Sequence, residues 1–203
     1  SQKMKTTTKT MNAHQLDLLD EWRTELSIRC KNGINFIFGA ALIWAGIAVI
    51  WNLELSLYNQ SILTFSISGL MLPLAWGFGK IMKTAWNVEG NPLNKVGMIF
   101  NLAQLFYFPF LFILLGNKPE YFALGYAIIT GAHFFPYAWY YKTNWFGFFA
   151  GLIPFGSWIL SIYFPEMIGL IPAFVSGCLG ILGLGLVRDY RLKIGQGNQA
   201  AIL

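Results

Sequence analysis

Residues 167–193 read MIGLIPAFVSGCLGILGLGLVRDYRLK: an uncharged run ending at Val187, then Arg188, Asp189, Arg191 and Lys193 in quick succession. A run of this length matches the roughly 20 apolar residues a helix needs to cross a bilayer. Basic residues clustered directly after such a run mark the end that stays in the cytoplasm. Within the run, Gly169, Ala173, Ser176, Gly177, Gly180 and Gly183 recur at spacings of three or four. Small residues so placed let membrane helices approach closely.

Five further stretches share this character. With the first they fall at 33–52, 61–80, 96–116, 119–139, 144–164 and 167–187, and the only charged residues inside any of them are Lys80, at the end of the second, and Glu120, at the start of the fourth. Of the 203 residues, 56% are hydrophobic and 11% charged, against about 25% charged in an ordinary soluble domain. A soluble helical core needs a polar face on each helix, and these stretches have none. The expected fold class is therefore all-α: a polytopic integral membrane protein of six transmembrane helices.

Charge sets the expected orientation. Threaded through a membrane, the chain places thirteen of its fourteen Lys and Arg on one side, from Lys3, Lys5, Lys9, Arg23, Arg29 and Lys31 to Arg188, Arg191 and Lys193, leaving Lys118 opposite. That predicts both termini in the cytoplasm and a cell-membrane location. The net charge of +5 then reads as topology and as attraction to anionic membrane lipids, not as a nucleic-acid footprint.

The expected organisation is a disordered cytoplasmic tail at 1–11, an amphipathic juxtamembrane helix at 12–32, the six-helix domain at 33–187 and a cytoplasmic tail at 188–203. The polar first 32 residues do not have the form of a cleavable signal peptide. Asn12 is a candidate N-cap. Leu16, Leu19, Trp22 and Leu26 lie along one face of the 12–30 helix, which reads either as an interfacial helix or as a dock for a protein partner. The loop Lys80–Lys95 is a second candidate partner surface. Trp51, Tyr58, Tyr121 and Tyr163 form an expected outer aromatic belt, and Trp86, Trp139, Tyr140, Tyr141 and Trp145 an inner one. Pro73, Pro109, Pro136, Pro154 and Pro172 fall in five of the six spans and predict kinks. The second and fourth spans end alike, in Pro73-Leu-Ala-Trp76 and Pro136-Tyr-Ala-Trp139.

One polar constellation stands out. Tyr126, Thr130, His133 and Tyr137 recur along one face of the fourth span, and Asn94, Gly97, Asn101, Gln104 and Phe108 along the third. At 1.5 Å per residue, Asn101 and His133 fall at matching depth, about 10 Å from the cytoplasmic boundary. Amides and an imidazole in hydrocarbon need partners, so the expected ligand-binding residues are Asn101, Gln104, Tyr107, Tyr126, Thr130 and His133, with Trp44 and Trp158 as stacking walls. Asn35 lies near the floor. The alternative is that each polar group is simply interhelical glue.

Missing residues narrow the chemistry. No carboxylate lies deep in a span, which argues against ion-coupled transport. His133 is alone in the spans, so bis-histidine haem ligation and a zinc-protease motif are excluded. Cys30 and Cys178 are too far apart along the fold for a disulfide and supply no metal motif. No catalytic residue, metal or cofactor is expected.

On Lys31-Asn32-Gly33, Asn91-Pro92-Leu93-Asn94-Lys95 with Asn101-Leu-Ala-Gln104, and Gly131-Ala-His133-Phe-Phe-Pro136, the chain resembles an uncharacterised family of small bacterial multi-pass membrane proteins. In length, span number and the Ala41/Ala45 pair it is also grossly similar to the substrate-binding subunits of energy-coupling-factor vitamin transporters. That resemblance implies a small-molecule binder powered by a separate ATPase. Two functions are expected from these residues: binding, with partner-dependent transport, of a small neutral or amphiphilic solute in an intramembrane pocket, or a structural or regulatory membrane partner acting through 12–30 and 80–95.

Overall fold

The computed structural model describes residues 13–200, so the expectations for residues 1–11 and the Asn12 cap lie outside them. Ten α-helices follow: α1 Ala13–Arg29, α2 Ile34–Ile50, α3 Leu57–Ser68, α4 Met71–Met82, α5 Asn94–Ala103, α6 Phe108–Asn117, α7 Phe122–Ala132, α8 Phe135–Tyr140, α9 Asn144–Tyr163 and α10 Leu170–Ala200. Short 3-10 turns lie at Lys31–Gly33, Gln104–Tyr107 and Pro119–Tyr121. No strand occurs among the described residues.

The prolines explain why there are more helices than expected spans. Pro109 and Pro136 are second residues of α6 and α8, and Pro73 and Pro172 third residues of α4 and α10. First-turn N–H groups have no partner within the helix, so these four prolines start helices instead of kinking them. Only Pro154 lies inside a helix, α9. The matching motifs Pro73–Trp76 and Pro136–Trp139 thus both restart a helix after a break, at Gly69–Leu70 and at His133–Phe134.

Four helical stretches are each long and apolar enough to cross a membrane: Lys31–Ile50, Asn94–Asn117, Asn144–Tyr163 and Leu170–Gln196. The pair α3–α4, bent by 40°, makes a fifth if it counts as one span. This composition is compatible with a membrane protein. The expected fourth span, 119–139, is divided between α7 and α8, of 11 and 6 residues, and neither alone is long enough to cross. The last helix does not stop at Val187. Arg188–Lys193 contains no helix breaker, and α10 runs on for 31 residues in all, so the expected tail is helical as far as Ala200.

The core forms where α2 packs on α10 and α4, α7 on α9, and α10 on α9. Ile47, Phe122, Phe149, Ile153, Leu179, Leu182 and Leu186 are fully buried there. Asn35 ties α2 to α4 by donating from Nδ2 to the Ala75 carbonyl at 3.1 Å, so it serves as interhelical glue.

Helix α1 is fastened across the charged end of the bundle. Leu26 and Ser27 are fully buried. Arg23 donates from Nε and Nη2 to the Trp139 carbonyl at 2.8 and 2.6 Å, with its guanidinium 4.7 Å over the Trp139 ring. Lys142 Nζ reaches Asp20 at 2.9 Å and holds that carboxyl below its ordinary pKa, with Arg23 adding to the effect. Asn91 Nδ2 donates to the Trp22 carbonyl and to Glu25, both at 2.9 Å. The two segments read as partner surfaces, 12–30 and 80–95, therefore grip each other.

The aromatic belts divide in the same way. Trp86, Trp139, Tyr58, Tyr121 and Tyr163 are exposed, as a lipid–water belt requires. Trp51, Tyr140 and Tyr141 are buried instead. Trp51 Nε1 donates to Thr64 at 2.8 Å, and Tyr137, Tyr140, Tyr141 and Phe146 form a continuous ring cluster.

Candidate functional site

The eight residues expected to line one pocket fall into two groups. Trp44 is buried on α2 and stacks on Tyr126 of α7, with centroids 5.2 Å apart and planes at 28°. Thr130 is buried one turn further on, and His133 is half-buried with its ring edge-on to Tyr137 at 5.3 Å. Asn101, Tyr107 and Trp158, by contrast, are exposed, and Gln104 is half-buried. Neither the Asn101 nor the Gln104 side chain has a hydrogen-bond partner among the described residues.

The stripe on the third span also breaks locally, just beyond Asn101. Gln104–Tyr107 is a 3-10 turn, which advances about 120° per residue where an α-helix advances about 100°. Over four residues that rotates the stripe by roughly 80°, carrying Phe108, its last member, off the face that Gly97 begins. Gly97 itself packs so closely on α8 that an added Cβ would lie 2.5 Å from the Tyr140 hydroxyl. The third span leans on α8 there, and further along it sets Phe110, Leu111 and Leu114 against Gly125 of α7.

Two open clefts stand out among the described residues, and neither includes any of the eight residues. One, of about 520 Å³, lies at the far end from the basic cluster, between Trp51, Gln60, Glu166 and Gly169. The other, of about 510 Å³, lies beside Asp17, Asp20 and Lys142.

The densest polar assembly is one the sequence reading missed. Lys31, Asn32 and Gly33 adopt φ of 48°, 55° and 70°, a left-handed turn that suits Asn and Gly. It swings the fully buried Asn32 side chain against α10. There Nδ2 donates to Asp189 at 2.9 Å and to the Leu186 carbonyl at 3.2 Å, while Oδ1 accepts from the Ser27 hydroxyl at 2.6 Å. Lys193 Nζ completes the hub by bonding Asp189 at 2.6 Å, Ser27 at 2.8 Å and the Tyr141 carbonyl at 2.9 Å. Every polar group has a partner, so the hub reads as a clasp joining α1, α2, α8 and α10. Two sequence features belong to it, an Asn-Gly pair between helices and an Asp–Lys pair four apart beyond the last span, but neither indicates the other. Nearby, burial pushes the Cys30 thiol up to about 11, which leaves it unreactive at neutral pH.

The fold and its polar groups define a class first: a helical protein with several membrane-length apolar helices, tied together at one charged end. Residues 19–189 match the family of unknown function DUF7010, and the chain belongs to that family. No curated protein and no solved structure matches it.

Proposed function

We propose that the chain crosses the cytoplasmic membrane six times with both ends inside, and that it works as a non-catalytic subunit of a membrane assembly, joined through its third span. The sixth crossing in this reading is the α7–α8 pair. The asymmetric distribution of Lys and Arg supports the orientation.

The observation that carries the reading is the third span itself. Only 6% of the apolar window in Asn94–Asn117 is buried, against 50% in Leu170–Gln196. Apolar exposure alone is what lipid would satisfy. Two unpaired amides on the same span are not, because an amide in hydrocarbon without a partner is costly. A photoreactive residue placed at Met98, exposed one turn before Asn101, is expected to trap a protein adduct in living cells. The same probe at Leu184, exposed on α10, should trap lipid only. Lipid adducts alone at both positions would remove the reading.

A second reading keeps a small neutral solute near the helix break. It is favoured by the Tyr137 hydroxyl, which is buried without a partner beside His133. Tyr137→Phe separates the two. Without a ligand the variant should be as stable as the parent or slightly more so, because an unsatisfied buried hydroxyl is removed. A drop in melting temperature for the protein in native lipid would favour a bound solute.

A further inference from the structure

We infer that the partner of the third span is a second copy of this chain, paired across a two-fold axis along the membrane normal through Asn101. The inference rests on the preceding reading that this span meets another protein.

Depth comes first. Asn101 lies seven residues into the span that begins at Asn94, or about 10 Å along it at 1.5 Å per residue. That position is well inside a hydrocarbon core about 30 Å thick. Gln104 lies nearly a turn deeper. Water does not reach such groups, and no side chain among the described residues bonds them.

Chemistry then selects the occupant. A primary amide carries two N–H donors and a carbonyl acceptor, so it is complementary to itself. All copies of a membrane protein insert in one orientation, so a symmetric pair must relate them by an axis along the membrane normal. Such an axis puts each residue level with its own counterpart. Asn101 of each copy then donates to the carbonyl of the other, with both amides satisfied at once. An unrelated partner would have to bring its own donor and acceptor to this depth, whereas a second copy brings both by symmetry. No charge opposes the approach either: between Lys95 and Lys118 the span has no ionisable residue except Tyr107. Met98, 58% exposed one turn before Asn101, supplies apolar bulk on the same face to pack beside the amides.

The test uses the full chain in native membrane vesicles. Met98→Cys lies on the Asn101 face, and the native Cys30 and Cys178 are buried, so the parent is expected to give no cross-linked species. Mild oxidation of Met98→Cys should give a disulfide-linked dimer, while Leu184→Cys should not. Adding Asn101→Leu should weaken dimerisation by about tenfold, read as the protein-to-lipid ratio at half-maximal cross-linking, and Asn101→Gln should largely restore it. The inference is overturned if Met98→Cys gives no dimer, or if Asn101→Leu leaves the yield unchanged. A photoadduct at Met98 with a different protein and no self-cross-link would overturn it while sparing the assembly reading. Lipid adducts alone would end both.

Discussion

Asn32→Ala is expected to destabilise the protein by about 3 kcal/mol, the larger of the single-residue effects anticipated here. The Asn32 side chain is fully buried and makes hydrogen bonds with Asp189, the Leu186 carbonyl and Ser27. Removing it leaves buried groups short of partners, at about 1–3 kcal/mol for each. The backbone adds a separate cost, because at φ 55° an Ala side chain is disfavoured by roughly 1 kcal/mol. Asn32→Gly isolates the network, since glycine tolerates the left-handed turn. The expected order of stability is parent, then Gly, then Ala, with the Gly–Ala gap near 1 kcal/mol. Equilibrium unfolding in mixed detergent micelles reads this order directly. A parent-like Asn32→Ala would mean that the clasp contributes nothing to holding α1 and α10 on the bundle.

Gly131→Ala is expected to cost about 2 kcal/mol, and Gly131→Val more. A Cβ at this position would lie 2.4 Å from Pro154 Cδ and 2.9 Å from Ile153 Cβ. Both neighbours are held by α9, and a proline ring cannot rotate away, so α7 must separate from α9; overpacking of this kind costs about 1–3 kcal/mol. The control is Gly177→Ala in α10, where nothing lies within 4 Å of the new methyl. That change should be neutral, or stabilising by a few tenths of a kcal/mol from improved helix propensity. Equal melting temperatures for Gly131→Ala and the parent would show that α7 and α9 do not meet at the proline.

Much of the architecture was legible because membrane-spanning segments are written in composition. Apolar runs such as 144–164 and 167–187 correspond closely to α9 and to the start of α10. The prolines were visible, but their effect was not. A proline in a helix interior and a proline in a first turn look the same in sequence, and which one it is depends on where the chain breaks. Pro136 starts α8, and that break divides the expected fourth span. Likewise nothing in the composition separates Gly131, pressed on Pro154, from Gly177, facing open space.

The candidate pocket was less legible. Periodicity predicted two facing stripes, and it assumed 3.6 residues per turn throughout. The 3-10 turn at Gln104–Tyr107 violates that assumption and takes Phe108 off the stripe. Tyr126, Thr130 and Trp44 do come together or lie buried, while Asn101 is left on the outer surface.

From sequence alone came the helical class, the set of membrane-length apolar runs and the concentration of basic residues, because each is a property of composition along the chain. Only the tertiary structure decided that α1 is clasped to the bundle by Asn32, Asp189 and Lys193, and that the third span is left almost bare. Those depend on which surfaces meet, and residues 157 positions apart, as Asn32 and Asp189 are, carry no mark of each other until the chain has folded.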